Sequence, residues 1–228
     1  MIRRRQLGRF VLGAGILAAL LASGCRTGSQ DDGAASVRLI NAVPDAGGLD
    51  VSVDGKRVWS REQFHSSTGY KNVSAGTYPV QIDAEGPGTT LLTKSLMLGK
   101  RQRYTLLALG QAGRGGAPAR VQVLPEEAKT ALPPGKAALR LINAAPGTAA
   151  VDLVVNTIVG LKSVGYGRRS APLLLASGHY TVQLAVPGAA LMLGGPVSLD
   201  LAPGQSYTLI AMGRTSNQSL SLEVYPDK

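Results

Sequence analysis

Beyond residue 36 the chain is written in short stretches in which apolar and polar side chains take turns. Leu49, Val51 and Val53 alternate with Asp50, Ser52 and Asp54, and Tyr78, Val80 and Ile82 alternate with Thr77, Pro79 and Gln81. Successive side chains leave a strand on opposite faces, so a period of two marks a strand with one face buried. Asp54-Gly55 suits a two-residue hairpin turn, with Lys56 to Trp59 as the returning strand. Pro79 has no amide to give a ladder, which places its strand at an edge or turns the missing amide outward. Gly76 and Gly178 each open a strand, where a turn with positive φ favours glycine. Leu91 to Leu98, Tyr104 to Leu109 and Arg120 to Leu124 supply further strands, and no helical period is sustained in this region.

The pattern is written twice. Val37-Arg38-Leu39-Ile40-Asn41-Ala42-Val43-Pro44 returns as Leu139-Arg140-Leu141-Ile142-Asn143-Ala144-Ala145-Pro146. Leu49 to Asp54 returns as Val151 to Asn156, and Ala75 to Gln81 as Ser177 to Gln183. Tyr104 to Ala108 returns as Tyr207 to Ala211, and Val121 to Pro125 as Leu222 to Pro226. Five blocks in one order mean two homologous units. Seven or so short strands in each fit an all-β architecture: two tandem immunoglobulin-like or prealbumin-like β-sandwiches. The repeats span 37–125 and 137–226, each expected to fold separately. Residues 126–136, with Pro133-Pro134-Gly135, form a linker that limits relative motion. The glycine-rich stretch Gly110 to Ala119 matches Gly213 to Ser219, so both read as loops between the last two strands of a repeat.

The first 36 residues follow different rules. Arg3, Arg4, Arg5 and Arg9 precede an apolar run from Phe10 to Ala22, then Ser23-Gly24-Cys25. A basic start, a short apolar core and small residues before the cut make a secretory signal peptide over residues 1–24. The run is shorter than the roughly 20 residues a membrane-spanning helix needs. Leu21 to Cys25 resembles the bacterial lipobox, which implies cleavage after Gly24 and lipid attachment at Cys25. Arg4-Arg5 also has the outline of a twin-arginine signal, so both export routes stay open. Residues 25–36 then form a lipidated tether. Arg26 stands where an aspartate would resemble inner-membrane retention, which favours the outer membrane in a cell that has one.

Composition narrows the function. Cys25 is the one cysteine, so no disulfide staples the exported chain. Four of the 24 basic residues leave with the leader, so 20 remain against 14 acidic ones. That surplus sits in solvated turns and edge strands, or draws anionic lipid or acidic polysaccharide. Nucleic acid is excluded as a partner: aromatics are only 4% of the chain and no recognition motif is present.

The tandem pattern resembles bacterial envelope proteins built from the domain of unknown function number 4397. Val37 to Pro44, Leu49 to Gly55, Ala75 to Val80 and Tyr104 to Ala108 carry the resemblance, and Gly147, Asn156 and His179 depart from it. It implies a β-sandwich envelope lipoprotein and lends no reaction. The residues point the same way. His65 and His179 occupy unmatched positions, no nucleophile elbow is present, and two separated histidines do not make a zinc site. Asn41 and Asn143, with Asp50 and Asp152, are polar in both copies and read as structural; a calcium site on Asp45, Asp50 and Asp54 is the weaker alternative. The expected protein is a non-enzymatic envelope lipoprotein without cofactor or metal. It acts as a binding or adhesion module toward an envelope protein or polysaccharide, or alternatively as a structural spacer. Trp59, Phe64 and Tyr70, the aromatic residues of the segment 59–70, are its candidate contact residues.

Overall fold

A computed structural model describes residues 33–85, 90–113, 116–126, 131–216 and 218–227; the leader and Cys25 lie outside them. The described residues are all-β. The first repeat runs β1 (Ala35–Ala42), β2 (Leu49–Val53), β3 (Lys56–Glu62), β4 (Lys71–Val73), β5 (Gly76–Ala84), β6 (Thr90–Leu98), β7 (Arg103–Leu109) and β8 (Arg120–Pro125). The second runs β9 (Lys136–Asn143), β10 (Ala150–Val155), β11 (Ile158–Gly165), β12 (Leu173–Ala176), β13 (Gly178–Ala185), β14 (Met192–Leu201), β15 (Ser206–Met212) and β16 (Ser221–Asp227).

Each repeat is a sandwich of two four-stranded sheets. In the first, β4-β1-β7-β8 faces β3-β2-β5-β6; in the second, β12-β9-β15-β16 faces β11-β10-β13-β14. The pairs β1–β7 and β9–β15 are parallel, and the other pairings are antiparallel. The alternating positions read from the sequence fill the interiors. Leu39, Leu49, Val51, Ile82 and Leu106 pack in the first sandwich. Leu141, Leu153, Leu184 and Leu209 pack in the second.

Local chemistry explains the details. Asp54 and Gly55 both take positive φ, 51° and 71°, as a primed hairpin turn between β2 and β3 demands. Pro79 lies in β5, between β2 and β6 rather than at an edge. Its carbonyl accepts from the Asp54 amide at 2.9 Å, so the N–H it lacks would face the hairpin turn, where no ladder continues. Asp50 and Asp152 hold a bulge. Their Oδ1 atoms accept from the amides of Arg61 (2.9 Å) and Ser163 (2.6 Å), both at positive φ.

The sequence reading treats the repeats as separate folding units; each has a core of its own, and a third cluster joins them. Ile40, Ala42, Leu107 and Leu109 leave the first sandwich on the outer face of β1 and β7. They meet Ile142, Ala144, Ile210 and Met212 from β9 and β15. Phe64, Tyr166, Leu124 and Tyr225 complete this third core. Every member has its own counterpart across the interface: Ile40 with Ile142, Leu107 with Ile210, Phe64 with Tyr166, Leu124 with Tyr225. The repeats therefore meet through the same patch, related by an approximate two-fold axis, as identical subunits do in a dimer. The apolar runs Leu106 to Leu109 and Leu209 to Met212 are continuous because both faces of these strands are buried.

Candidate functional site

The sequence-derived contact residues are dispersed by this fold. Trp59 is not in a loop: it lies in β3 opposite Val51 and is 3% exposed within the first core. The cross-strand register turns it inward with the apolar set of β2, and Lys71 Nζ lies 5.5 Å from the centroid of its ring. Phe64 packs into the third core. Residues 65–68 run along β1 through backbone bonds. His65 N donates to Asn41 O, Asn41 N to Ser66 O, and Thr68 N to Leu39 O, at 3.0, 3.0 and 2.9 Å. Tyr70 alone approaches a cavity. It lies between Arg38 and Arg103, whose guanidinium carbons sit 5.1 and 4.1 Å from its ring centre, and its hydroxyl donates to Glu126 Oε1.

The asparagines shared by the two repeats are structural. Asn41 and Asn143 are fully buried. Each accepts from the amide two residues on (Val43 at 2.9 Å, Ala145 at 3.2 Å) and donates to the carbonyl of Glu62 or Val164. Asp45, Asp50 and Asp54 do not converge on a cation. Asp45 accepts from the amides of Ala112 and Gly113 and meets Arg214 at 2.5 Å, while Asp50 pairs with Arg57 at 3.2 Å. Burial alone would raise the Asp45 pKa, but those amides and the guanidinium hold it below the ordinary 3.8.

A cavity opens between the two repeats, away from the Asp45–Arg214 contact. It is a cleft of about 410 Å³. Ile40, Ile142 and Ile210 form its floor, and Leu132, Pro133, Pro172 and Leu174 stand along its wall. Between floor and mouth lies a ring of polar side chains contributed by both repeats: Arg38, Thr105 and Glu126 from the first, Arg140, Thr208 and Asp227 from the second. These are counterparts, residue for residue. Alternation along β1, β7, β9 and β15 puts each arginine and threonine on the same outward face as the isoleucines.

The ring is tightly bonded. Arg38 Nε donates to Thr105 Oγ1 at 2.8 Å and its Nη2 lies 3.4 Å from Glu126 Oε1. Thr208 Oγ1 donates to Asp227 Oδ1 at 2.9 Å. Burial raises the pKa of Asp227 despite Thr208 and the charges of Arg140, Arg38 and Arg169. Burial raises Glu126 as well, against the pull of Arg38, with the Asp227 charge adding to the rise. The Tyr225 phenol is pushed up to about 12 by burial and by Glu223. The second repeat adds a cation without a counterpart: Arg169, matched by Ser67 in the first copy, each bridging to the equivalent isoleucine of β9 or β1.

One further cluster has nucleophilic composition. Ser221 Oγ lies 3.1 Å from His65 Nε2, and His65 Nδ1 lies 3.8 Å from Glu223 Oε1. The second distance is an ion contact rather than a hydrogen bond. Ser221 opens an ordinary strand paired with Met212, and the cluster ties β16 to the first repeat across the interface. No group of three or more metal-ligating side chains converges among the described residues.

Sequence reasoning missed the ring, although its signal was in plain view. An arginine at the same place in two otherwise apolar strands, and a threonine after the tyrosine in both copies of another, are polar positions shared by the repeats. Paired sandwiches joined through a common core define a two-repeat β-sandwich protein. The chain belongs to the domain of unknown function family DUF4397, which matches residues 35–154 and 137–228.

No curated protein matches the chain. Among solved structures it is similar to the N-terminal domain of AlgF from P. aeruginosa, at 19% identity and a TM-score of 0.31, covering 42% of this chain and 99% of that one. It is similar to a family-26 carbohydrate-binding module of Eubacterium rectale Amy13K, solved with maltoheptaose, at 10% identity and a TM-score of 0.28, covering 85% and 97%. A streptococcal virulence factor described as binding alpha-glucan gives 11% identity and a TM-score of 0.27, covering 81% and 95%. Likenesses this distant say nothing of the ligand of this chain.

Proposed function

We propose that the protein is a non-enzymatic binding module of the bacterial cell envelope, tethered by lipid at Cys25, that takes its ligand in the cleft between its two repeats. The observation that carries this reading is the ring of matched arginine, threonine and carboxylate side chains around a 410 Å³ cavity. Buried charge is costly to keep, and proteins that bind small molecules surround a mostly apolar pocket with a few fixed polar groups. A cleft of this size takes a small envelope molecule, or the end of a polysaccharide or peptide chain, rather than a flat protein face. The leader and the Gly24-Cys25 junction support the address, and Arg26 favours the outer membrane where there is one. The role of spacer is the second reading. It is favoured by the third core, which joins the repeats through buried side chains.

Native mass spectrometry of the protein purified from envelopes tests the proposal. The wild type carries a bound molecule that Ser206→Trp, which fills the mouth of the cleft, loses without unfolding. A bound molecule retained by Ser206→Trp puts the site elsewhere. None on either protein leaves the spacer.

A further inference from the structure

The two repeats build the same turn with different side chains. Gly99-Lys100-Arg101-Gln102 joins β6 to β7, and its counterpart Ala202-Pro203-Gly204-Gln205 joins β14 to β15. Gly99 N donates to the Tyr104 hydroxyl at 2.8 Å and Ala202 N to that of Tyr207 at 3.0 Å. Arg101 N donates to Ala34 O at 3.1 Å and Gly204 N to Lys136 O at 2.8 Å. Arg101 and Gly204 both take positive φ, 57° and 72°. Left-handed backbone favours glycine, so the first repeat carries an arginine at a conformational cost that the second avoids. Lys100 stands in the place of Pro203, and Met97 in that of Asp200. The second repeat sets Asp200 across the ladder from His179, bonded at 2.8 Å. The first sets Met97 across from Thr77 and leaves it 78% exposed.

This turn lies where the tether enters the fold. Ser36 N donates to Gln102 O at 2.9 Å, and a β-carbon on Gly33 would lie 3.6 Å from Lys100 Cδ. Eight residues separate Gly33 from Cys25, a reach of about 26–29 Å when fully extended. Lys100 and Arg101 are exposed and form no ion pair among the described residues. Glu126, at the end of β8, is engaged by Arg38 and Arg103. Outside the described residues, 26–32 carry Arg26, Asp31 and Asp32, and 127–130 carry Glu127 and Lys129. Counted with Lys100 and Arg101, these leave four cations against three acids, so the turn stays on the positive side.

We propose that the β6–β7 turn docks on the anionic phospholipid surface of the membrane that holds the tether. Lys100 and Arg101 meet lipid phosphates, and Met97 enters the headgroup region. The inference rests on the lipid attachment at Cys25 proposed above and adds a second point of contact to it. Apolar burial together with attraction to anionic lipid is what holds a protein surface at a membrane interface. A basic residue close to such a surface strengthens binding roughly fivefold, and the gain fades within a Debye length, about 8 Å at physiological salt. A short tether at the same end keeps the turn in that range.

The test uses the lipidated protein with an environment-sensitive fluorophore on Met97→Cys or on the matched Asp200→Cys. It is reconstituted on vesicles of phosphatidylcholine alone or of equimolar phosphatidylcholine and phosphatidylglycerol. Acylation blocks the Cys25 thiol, so the label reports one site. Emission from position 97 should shift to the blue on the phosphatidylglycerol vesicles and be quenched by nitroxide-headgroup lipid. The label at position 200 should be unchanged. High salt should reverse the shift. So should Lys100→Pro combined with Arg101→Gly, which writes the second repeat's turn into the first and keeps the backbone the fold already uses. No shift at 97 in protein that floats with the vesicles overturns the docking and leaves the anchor standing. A shift that is equal on phosphatidylcholine alone, is equal at 97 and 200, or survives the turn exchange also overturns it. Protein that takes label at Cys25 and fails to float removes the anchor, and this inference with it.

Discussion

Truncating Ile142 to alanine probes the union of the two repeats. Ile142 is completely buried, and its outward face packs in the third core with Ile40 and Ile210 rather than in either sandwich. Removing a fully buried isoleucine side chain down to the β-carbon costs about 2–5 kcal/mol, transfer and residual cavity together. A value near the middle, about 3 kcal/mol, fits a site walled by two hydrogen-bonded sheets that cannot collapse fully. For a protein of this length each kcal/mol moves the melting temperature by about 2–4 °C, so the expected fall is roughly 6–12 °C. Ile40→Ala, its counterpart in the first repeat, is equally buried and should lose a similar amount. Ile158, 73% exposed at a hairpin of the outer sheet, is the control, and its truncation stays within about 0.5 kcal/mol. Differential scanning calorimetry reads the outcome. A shared core gives one transition, with calorimetric and van't Hoff enthalpies equal, displaced as a whole by either interface change. Two resolved transitions, of which Ile142→Ala moves only one, or a shift no larger than that of Ile158→Ala, would refute the shared core.

Radiolabelled fatty acid added to growing cells should enter the wild type and not Cys25→Ser; equal labelling of both would remove the lipid anchor. Asp227 has a raised pKa in the folded state, so the fold binds its proton more tightly than the unfolded chain does. Its favourable contribution is lost as pH rises through that raised value and is complete below the ordinary 3.8. The melting temperature of the wild type should therefore gain on that of Asp227→Asn as pH falls from neutral toward 3.8, and a flat difference would contradict the burial argument. A fluorophosphonate probe should leave Ser221 unmodified, since His65 and Glu223 stand 3.8 Å apart. Labelling at Ser221 that His65→Ala abolishes would instead make the chain a serine hydrolase.

Much of this architecture is legible because strands write themselves as alternation and a duplicated unit writes itself twice. The Asp54-Gly55 hairpin, the loops at 110–119 and 213–219 and the β-sandwich class all follow from those two signals. The inter-repeat core was legible only in part. Ile40 and Leu107 make their strands apolar on both faces, and a continuous apolar run does not say whether its second face meets a sheet of the same repeat or of the other. Trp59 and Phe64 were misplaced for a related reason. Aromatic composition looks like a contact surface, yet the pairing of Trp59 with Val51 turns its ring inward. The backbone bonds that pin 65–68 along β1 leave no trace in side-chain chemistry. The cleft was hidden because its ring is assembled from three separate blocks, and because Glu126 sits where the linker begins.

Hydrogen–deuterium exchange of the natively purified protein, before and after the molecule proposed to occupy its cleft is stripped under mild denaturant and the protein refolded, tests the proposed binding surface directly. Loss of the molecule should raise exchange in 36–40, 103–107, 138–142, 206–210 and 225–227, the strand segments around the cleft. The outer strands β2, β5, β10 and β13 should be unchanged. A change confined to the hairpins of the outer sheets, with the cleft segments unaltered, would contradict a ligand site between the repeats.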